Sequence, residues 1–205
     1  MAGDALVVFA REPVPGRVKT RLAKEIGAES SARVYQDLLR LTLDVARSSD
    51  ATRFLCLPEG DRLDVADGAF TVRPQVGADL GDRMNAAFCD RFAEGFGRVL
   101  LIGSDCPTLS PAILGRAYAA LDQSQTVFGP ARDGGYYLVG QVPPARDLFS
   151  GIPWSSPQVW ELTRSRLMNR GWSFATLEVL EDIDDLDSLH RYQNETGETL
   201  GSPGK

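Results

Sequence analysis

The sequence predicts an α/β fold: a mostly parallel central sheet between two layers of helices. Two observations lead there. Short apolar runs bounded by turn residues alternate with segments whose apolar residues recur at helical spacing, the pattern of βαβ units. Polar, Gly- and Pro-rich stretches follow several of the apolar runs directly, where open α/β sheets gather their ligand-binding loops. Size agrees, since 205 residues that are 43% hydrophobic and 24% charged can bury about 70% of the unfolded surface in one core without disulfides or structural metal.

Leu6 to Ala10 is the first strand. After a Pro- and Gly-containing loop, Val34, Leu38, Leu41 and Val45 form one stripe on a helix from about Ala28 to Ser48, the first crossover. Thr52 to Leu57 and Phe70 to Arg73 are short strands, each followed by Pro and each short enough to be buried. Leu80, Met84, Ala87 and Phe88 line a helix from Asp79 to about Phe96, with Gly95 and Gly97 as stops. Arg98 to Ile102 is a central strand running into Gly103-Ser104-Asp105-Cys106-Pro107. Ser110 then caps a helix with Pro111 in its first position, reaching Leu121, and Ser156-Pro157 repeats the device before a helix to Arg170. Between them, Thr126 to Phe128 and Tyr136 to Val139 are strands joined by the loop Gly129 to Gly135. Ser173 to Leu177 is the last strand, leading through an acidic stretch to a short helix carrying Leu186, Leu189 and Tyr192. Residues 1–196 are expected to form a single domain and 197–205 a flexible C-terminal tail.

Composition narrows the function classes. A net charge of −6 disfavours nucleic acid, because neutralising phosphates over a broad face needs clustered Lys and Arg. No run approaches the ~18 apolar residues of a membrane span, and the first apolar run is too short and wrongly flanked for a signal peptide. Three cysteines without a paired CxxC pattern suit a reducing compartment, so the cytoplasm is expected, with the chain a monomer or homodimer. The single histidine, His190, gives Ser-His-Asp, Cys-His and His-rich metal chemistry little to build on. It reads as a surface residue and the cysteines as small buried hydrophobes, with Cys106 next to a candidate metal carboxylate. Carboxylates and oxygen-loving cations remain.

The most informative segment is Arg11-Glu12-Pro13-Val14-Pro15-Gly16-Arg17-Val18-Lys19-Thr20-Arg21-Leu22. It sets several cations on a Gly/Pro-shaped turn after the first strand, a natural seat for phosphate, yet matches neither the Walker nor the Rossmann spacing. Asp105, where a buried strand meets solvent, suits a carboxylate holding Mg²⁺ or Mn²⁺ against phosphate oxygens. Asp133, Asp182 and Asp184 are candidates to join it, whereas Asp185 reads as a helix cap. The stretch Gln75 to Asn85, containing Gly81, has the groups to read a base or ribose, or is a turn capped by Asp79. Trp154 lines an acceptor pocket or packs in the core.

Together these motifs resemble the GT-A superfamily of nucleotide-diphospho-sugar transferases over almost the whole chain. More closely, Phe9-Ala10-Arg11-Glu12-Pro13 with Pro15-Gly16-Arg17-Val18-Lys19-Thr20-Arg21-Leu22, then Gly103-Ser104-Asp105-Cys106-Pro107, Asp133-Gly134-Gly135-Tyr136-Tyr137 and Asp182-Ile183-Asp184, look like a bacterial family described as glycosyltransferase-like. That family is sometimes linked by name to arsenosugar biosynthesis, and is similar to molybdenum-cofactor and 2-phospho-lactate guanylyltransferases. The resemblance implies a GT-A fold and a transferase that uses Mg²⁺ or Mn²⁺. It places nucleotide phosphates on the loop through Gly16, Lys19 and Arg21 and metal carboxylates at Asp105 and Asp184; with the residue readings above, the nucleotide site is expected at Ala10, Arg11, Pro15, Gly16, Lys19, Arg21, Gln75, Gly81, Asn85 and Ser104. Lys19, Arg21, Asp105 and Asp133 are then the catalytic candidates, and Gly134, Gly135, Tyr136 and Trp154 the acceptor pocket. The chain departs from the pattern in lacking a Gly-Gly-x-Gly opening and in carrying Ser104-Asp105-Cys106 for Asp-x-Asp.

The leading reading is nucleotidyl transfer, in which a phosphorylated or carboxylate-bearing metabolite attacks the α-phosphorus of an NTP. This needs positioning and charge neutralisation rather than a His or Cys nucleophile. The alternatives are glycosyl transfer from a nucleotide sugar, with Asp133 as acceptor base, and a catalytically silent nucleotide-binding module. The partners are a nucleotide and a small acceptor, with no nucleic acid and no membrane.

Overall fold

The computed structural model of the protein describes residues 2–65 and 68–202. Its elements are β1 (Asp4–Phe9), α1 (Thr20–Ile26), α2 (Ala28–Arg47), β2 (Thr52–Leu57), β3 (Thr71–Pro74), α3 (Leu80–Ala93), β4 (Arg98–Ile102), α4 (Pro111–Ala120), β5 (Thr126–Pro130), β6 (Tyr136–Gln141), α5 (Val159–Asn169), β7 (Phe174–Thr176) and α6 (Leu186–Thr196). The sheet has seven strands in the order β3-β2-β1-β4-β6-β5-β7. Only β6 runs against its neighbours, β4 and β5, so the mostly parallel sheet expected from the sequence is present.

Strand side chains alternate between faces, and both faces are covered. Leu6 and Val8 of β1 join Leu55, Leu100 and Ile102 in one core, roofed by Leu39 and Leu43 of α2 and Ile113, Leu114 and Ala117 of α4. Ala5, Val7 and Phe9 turn the other way with Phe54, Val99 and Leu101, against Met84 and Phe88 of α3 and Leu167 of α5. That division explains why Leu6 to Phe9 reads as an unbroken apolar run. Where β6 lies between β4 and β5, a side chain at Gly140 would sit 2.4 Å from Leu100 Cδ2 and 2.7 Å from Val127 Cγ1. The glycine lets the strands close.

Several boundaries differ from those the sequence predicts, each for a local reason. Helix α1 begins inside the cationic segment. At seven residues with Leu22 and Ile26 as its apolar pair, it is too short to display a period. Strand β3 is exposed along its length at the sheet's edge rather than buried. Helix α5 starts at Val159 with an uncapped Gln158 before it, so Ser156-Pro157 does not repeat the Ser110-Pro111 cap; Ser110 does accept from Ile113 N–H. The described part of the tail, residues 197–202, is docked where a flexible segment was expected. Leu200 is buried with Val34, Leu38 and Tyr192, and Gly201 N–H donates to Asp37 at 2.8 Å. Residues 203–205 lie outside the described ones. Among the described residues, no helix is long and apolar enough to cross a membrane.

Candidate active site

β1 and β4 are neighbours, yet the chain leaves β1 toward β2 on one side while β4 borders β6 on the other. Ligands in open α/β sheets settle at such a switch point, beyond the carboxyl ends of the strands. Here a cleft of about 900 Å³ opens there, within the range of small-molecule sites.

One wall is the segment after β1. Its course is set by groups far away in sequence. Arg11 N–H donates to Tyr35 Oη at 2.9 Å, and that hydroxyl shares a hydrogen bond of 2.9 Å with Ser104 Oγ. Asp61, whose side chain is only 2% exposed, accepts Glu12 N–H at 3.0 Å and the Arg17 guanidinium at 2.5 Å. Glu12 in turn accepts Arg62 N–H at 3.2 Å. The turn after β2 therefore braces the cationic segment. Lys19 ends that segment in a left-handed conformation, φ 48° and ψ 48°, uncommon for a residue with a side chain and frequent at functional sites.

The opposite wall is acidic and comes from the other end of the chain. Ile183 N–H donates to Asp105 O at 3.0 Å. Leu180 N–H donates to Pro130 O at 3.1 Å, and Arg132 N–H to Leu180 O at 2.9 Å. These bonds lay residues 180–184 across the ends of β4 and β5. Asp185 caps α6 as expected, accepting Ser188 N–H at 2.8 Å in a capping box.

Between the walls sits Lys19. Its Nζ lies 2.8 Å from Asp184 Oδ1 and 3.0 Å from Asp105 Oδ1, with the lysine side chain 4% exposed and the carboxylates about 40%. Burial alone would lower the lysine pKa, but the two carboxylates outweigh it and hold it above its ordinary value. Asp182 behaves oppositely. Burial, then the charges of Asp105 and Asp133, push its carboxyl up to about 7.

Of the site residues expected from the sequence, Ala10, Arg11, Lys19, Arg21, Gln75, Ser104, Asp105, Asp133, Tyr136, Trp154 and Asp184 line the cleft, together with Asp182. Pro15, Gly16, Gly81, Asn85, Gly134 and Gly135 do not line it. Some have other work. A side chain at Gly81 would meet Phe149 O at 2.8 Å and Trp154 at 2.9 Å, and one at Gly134 (φ +91°) would meet Pro157 O at 2.1 Å. Gln75 reaches the wall with its amide nitrogen already donating to Ala10 O and Cys56 O, at 3.2 and 2.8 Å. Tyr136 and Trp154 meet edge to face at 6.3 Å, and no partner satisfies the buried Trp154 Nε1 among the described residues. Two contributors, Asp61 and Tyr35, were not expected. Asp61 sits in an ordinary polar turn and Tyr35 beside a helix stripe, so neither carried a signal.

Among the described residues no three His, Cys, Asp or Glu side chains are arranged to hold a metal ion. Two are. The Asp105 and Asp184 oxygens converge on one cation, and an all-oxygen pair completed by substrate phosphates suits Mg²⁺ or Mn²⁺. The residues present fit such an ion.

Residues 41–156, more than half of the chain, match a family of uncharacterized proteins conserved in bacteria, DUF2064. The chain belongs to that family. Among solved structures, this DUF2064 protein is 29% identical to a Desulfovibrio desulfuricans G20 protein named as a nucleotide-diphospho-sugar transferase, with a TM-score of 0.86 over 96% of this chain and 90% of that one. Rv0371C of Mycobacterium tuberculosis H37Rv, in complex with manganese, is 20% identical (TM-score 0.53, 93% and 97% covered). The inositol-1-phosphate CTP transferase of T. maritima is 12% identical (TM-score 0.61, 95% and 94%). No curated protein matches. The fold is thus that of the nucleotide-diphospho-sugar transferases, as the resemblance implied, and two of these three structures carry transferase names.

Proposed function

We propose that this protein is a divalent-metal-dependent nucleotidyltransferase that transfers the nucleoside monophosphate of an NTP to a small phosphorylated or carboxylate-bearing acceptor and releases pyrophosphate. The observation that carries the reading is the pairing, across one cleft, of a basic segment with the Asp105–Asp184 pair. Arg11 and Arg21 make no ion pair among the described residues and line that cleft, which suits polyphosphate. Asp105 and Asp184 would hold the ion, which when bound neutralises charge on phosphoryl oxygens. Tyr136 and Trp154 would flank the acceptor, with Asp133 and Asp182 beside it. Holding both substrates in line accounts for most of the acceleration such chemistry needs.

Glycosyl transfer from a nucleotide sugar is the second reading, favoured by the name of the Desulfovibrio relative; Asp133 would then activate the acceptor. A thermal-shift screen of NTPs, NDPs and nucleotide sugars, with and without Mg²⁺ or Mn²⁺, separates them, because a ligand of the native state raises its stability. Metal-dependent stabilisation by one NTP over its NDP-sugars, with pyrophosphate released once an acceptor is present, supports nucleotidyl transfer. The reverse preference supports glycosyl transfer. No shift with any nucleotide refutes both.

A further inference from the structure

Of the 22 cationic side chains only three are lysines: Lys19, Lys24 and Lys205. One of these three is buried between two carboxylates at the centre of the cleft, 2.8 and 3.0 Å from their oxygens. An arginine fork would grip two carboxylates in fixed, multiply bonded geometry, whereas an ammonium is a compact charge on a flexible stem. The pair at Lys19 has the features of a contact made to be exchanged. Both carboxylate side chains remain about 40% exposed, within reach of an incoming cation, while the lysine is covered. Asp105 Oδ1 has no solvent access and takes the ammonium's charge without a well-aligned hydrogen bond. The same two oxygens cannot ligate a divalent ion at about 2.1 Å and keep Nζ between them.

We infer that Lys19 is the resident counter-cation of the Asp105–Asp184 pair, and that a divalent ion binds by displacing it, which turns the ammonium out into the cleft. Lys19 thereby keeps the empty acidic wall neutralised and makes metal binding contingent on somewhere for its own charge to go. Phosphates lying along Arg11 and Arg21 provide that place, so metal and nucleotide favour each other's binding. That last link rests on the nucleotide reading; the displacement itself does not.

The test uses the whole wild-type chain first. With so few lysines, amine labelling followed by peptide mapping resolves Lys19 from Lys24. Lys19 is expected to label far more slowly than Lys24 in metal-free protein, and saturating Mn²⁺ to speed Lys19 by about ten-fold, a common size of coupling, leaving Lys24 unchanged. Mn²⁺ binding, followed by the spin signal of the free ion, should be about ten-fold tighter in Lys19→Met than in the wild type. Asp105→Asn in the same background should remove the gain. Unchanged Lys19 labelling with Mn²⁺ bound overturns the inference, as does equal Mn²⁺ affinity in the wild type and Lys19→Met, or no Mn²⁺ binding by either. None of these readouts involves a nucleotide. Failure of the displacement would leave the thermal-shift result standing, and failure of the nucleotide reading would leave the labelling result standing.

Discussion

Asp61→Ala is expected to lower stability and loosen the phosphate-facing wall at once. Its carboxylate is 2% exposed and takes two donors, Glu12 N–H at 3.0 Å and the Arg17 guanidinium at 2.5 Å. The two bonds are unequal. Arg17 is 54% exposed, so water replaces the lost partner and that pair contributes at most about 1 kcal/mol. Glu12 N–H is partly buried and bonds a charged acceptor, worth about 1.5–3 kcal/mol when lost. The sum is about 2–4 kcal/mol, which for a chain of this size lowers Tm by roughly 4–16 °C. Urea unfolding should show a lower midpoint with an unchanged slope. Asp61→Asn, which keeps an acceptor for Glu12, should lose about half as much. Nucleoside triphosphate affinity should fall in Asp61→Ala while nucleoside affinity holds. A loss below about 0.5 kcal/mol on this scale, or equal weakening of both ligands, refutes the bracing role.

Three further predictions rest on single features. Asp182 has its carboxyl raised to about 7 from an ordinary 3.8, so the folded state binds the extra proton between those values and its stability falls as pH rises through that window. Asp182→Asn should therefore stabilise the metal-free protein at pH 8 by up to about 4 kcal/mol and make no difference at pH 3, read from paired urea curves. Gly134→Ala forces a side chain into the left-handed region 2.1 Å from Pro157 O. It should cost at least about 2 kcal/mol and alter Trp154 fluorescence as residues 154–157 shift. Leu200→Ala empties a buried site against Val34 and Leu38 and should cost about 2–3 kcal/mol by thermal unfolding; a cost near zero would mean that the end of the chain adds nothing.

The sheet was legible because buried parallel strands leave unbroken apolar runs, and Leu6 to Ala10 and Val99 to Ile102 are such runs. Helix α2 was legible through its stripe. Helix α1 was not, since one apolar pair defines no period. For the site, the sequence offered the residue types: Lys19, Arg21, Asp105, Asp133 and Asp184 all reach the cleft. It did not reveal how they pair. The ammonium of Lys19, expected to meet phosphates, lies against Asp105 and Asp184, a contact that depends on three loops being superposed in space. Gly134 and Gly135 were read as ligand-facing, but a glycine that admits a ligand and one that admits a neighbouring loop look the same in sequence.

The ion pair from Lys19 to Asp184 spans 165 positions of the chain. Its two halves lie on segments far apart in sequence, and the segment after β7 brings them together by bonding across the ends of β4 and β5. Residues 180–184 supply Asp182 and Asp184 to the acidic wall, and Asp105 and Asp133 reach it from the ends of other strands. The cleft's electrostatics are thus a product of long-range contacts, set only once segments distant in sequence have docked, and no local stretch of the chain carries them alone.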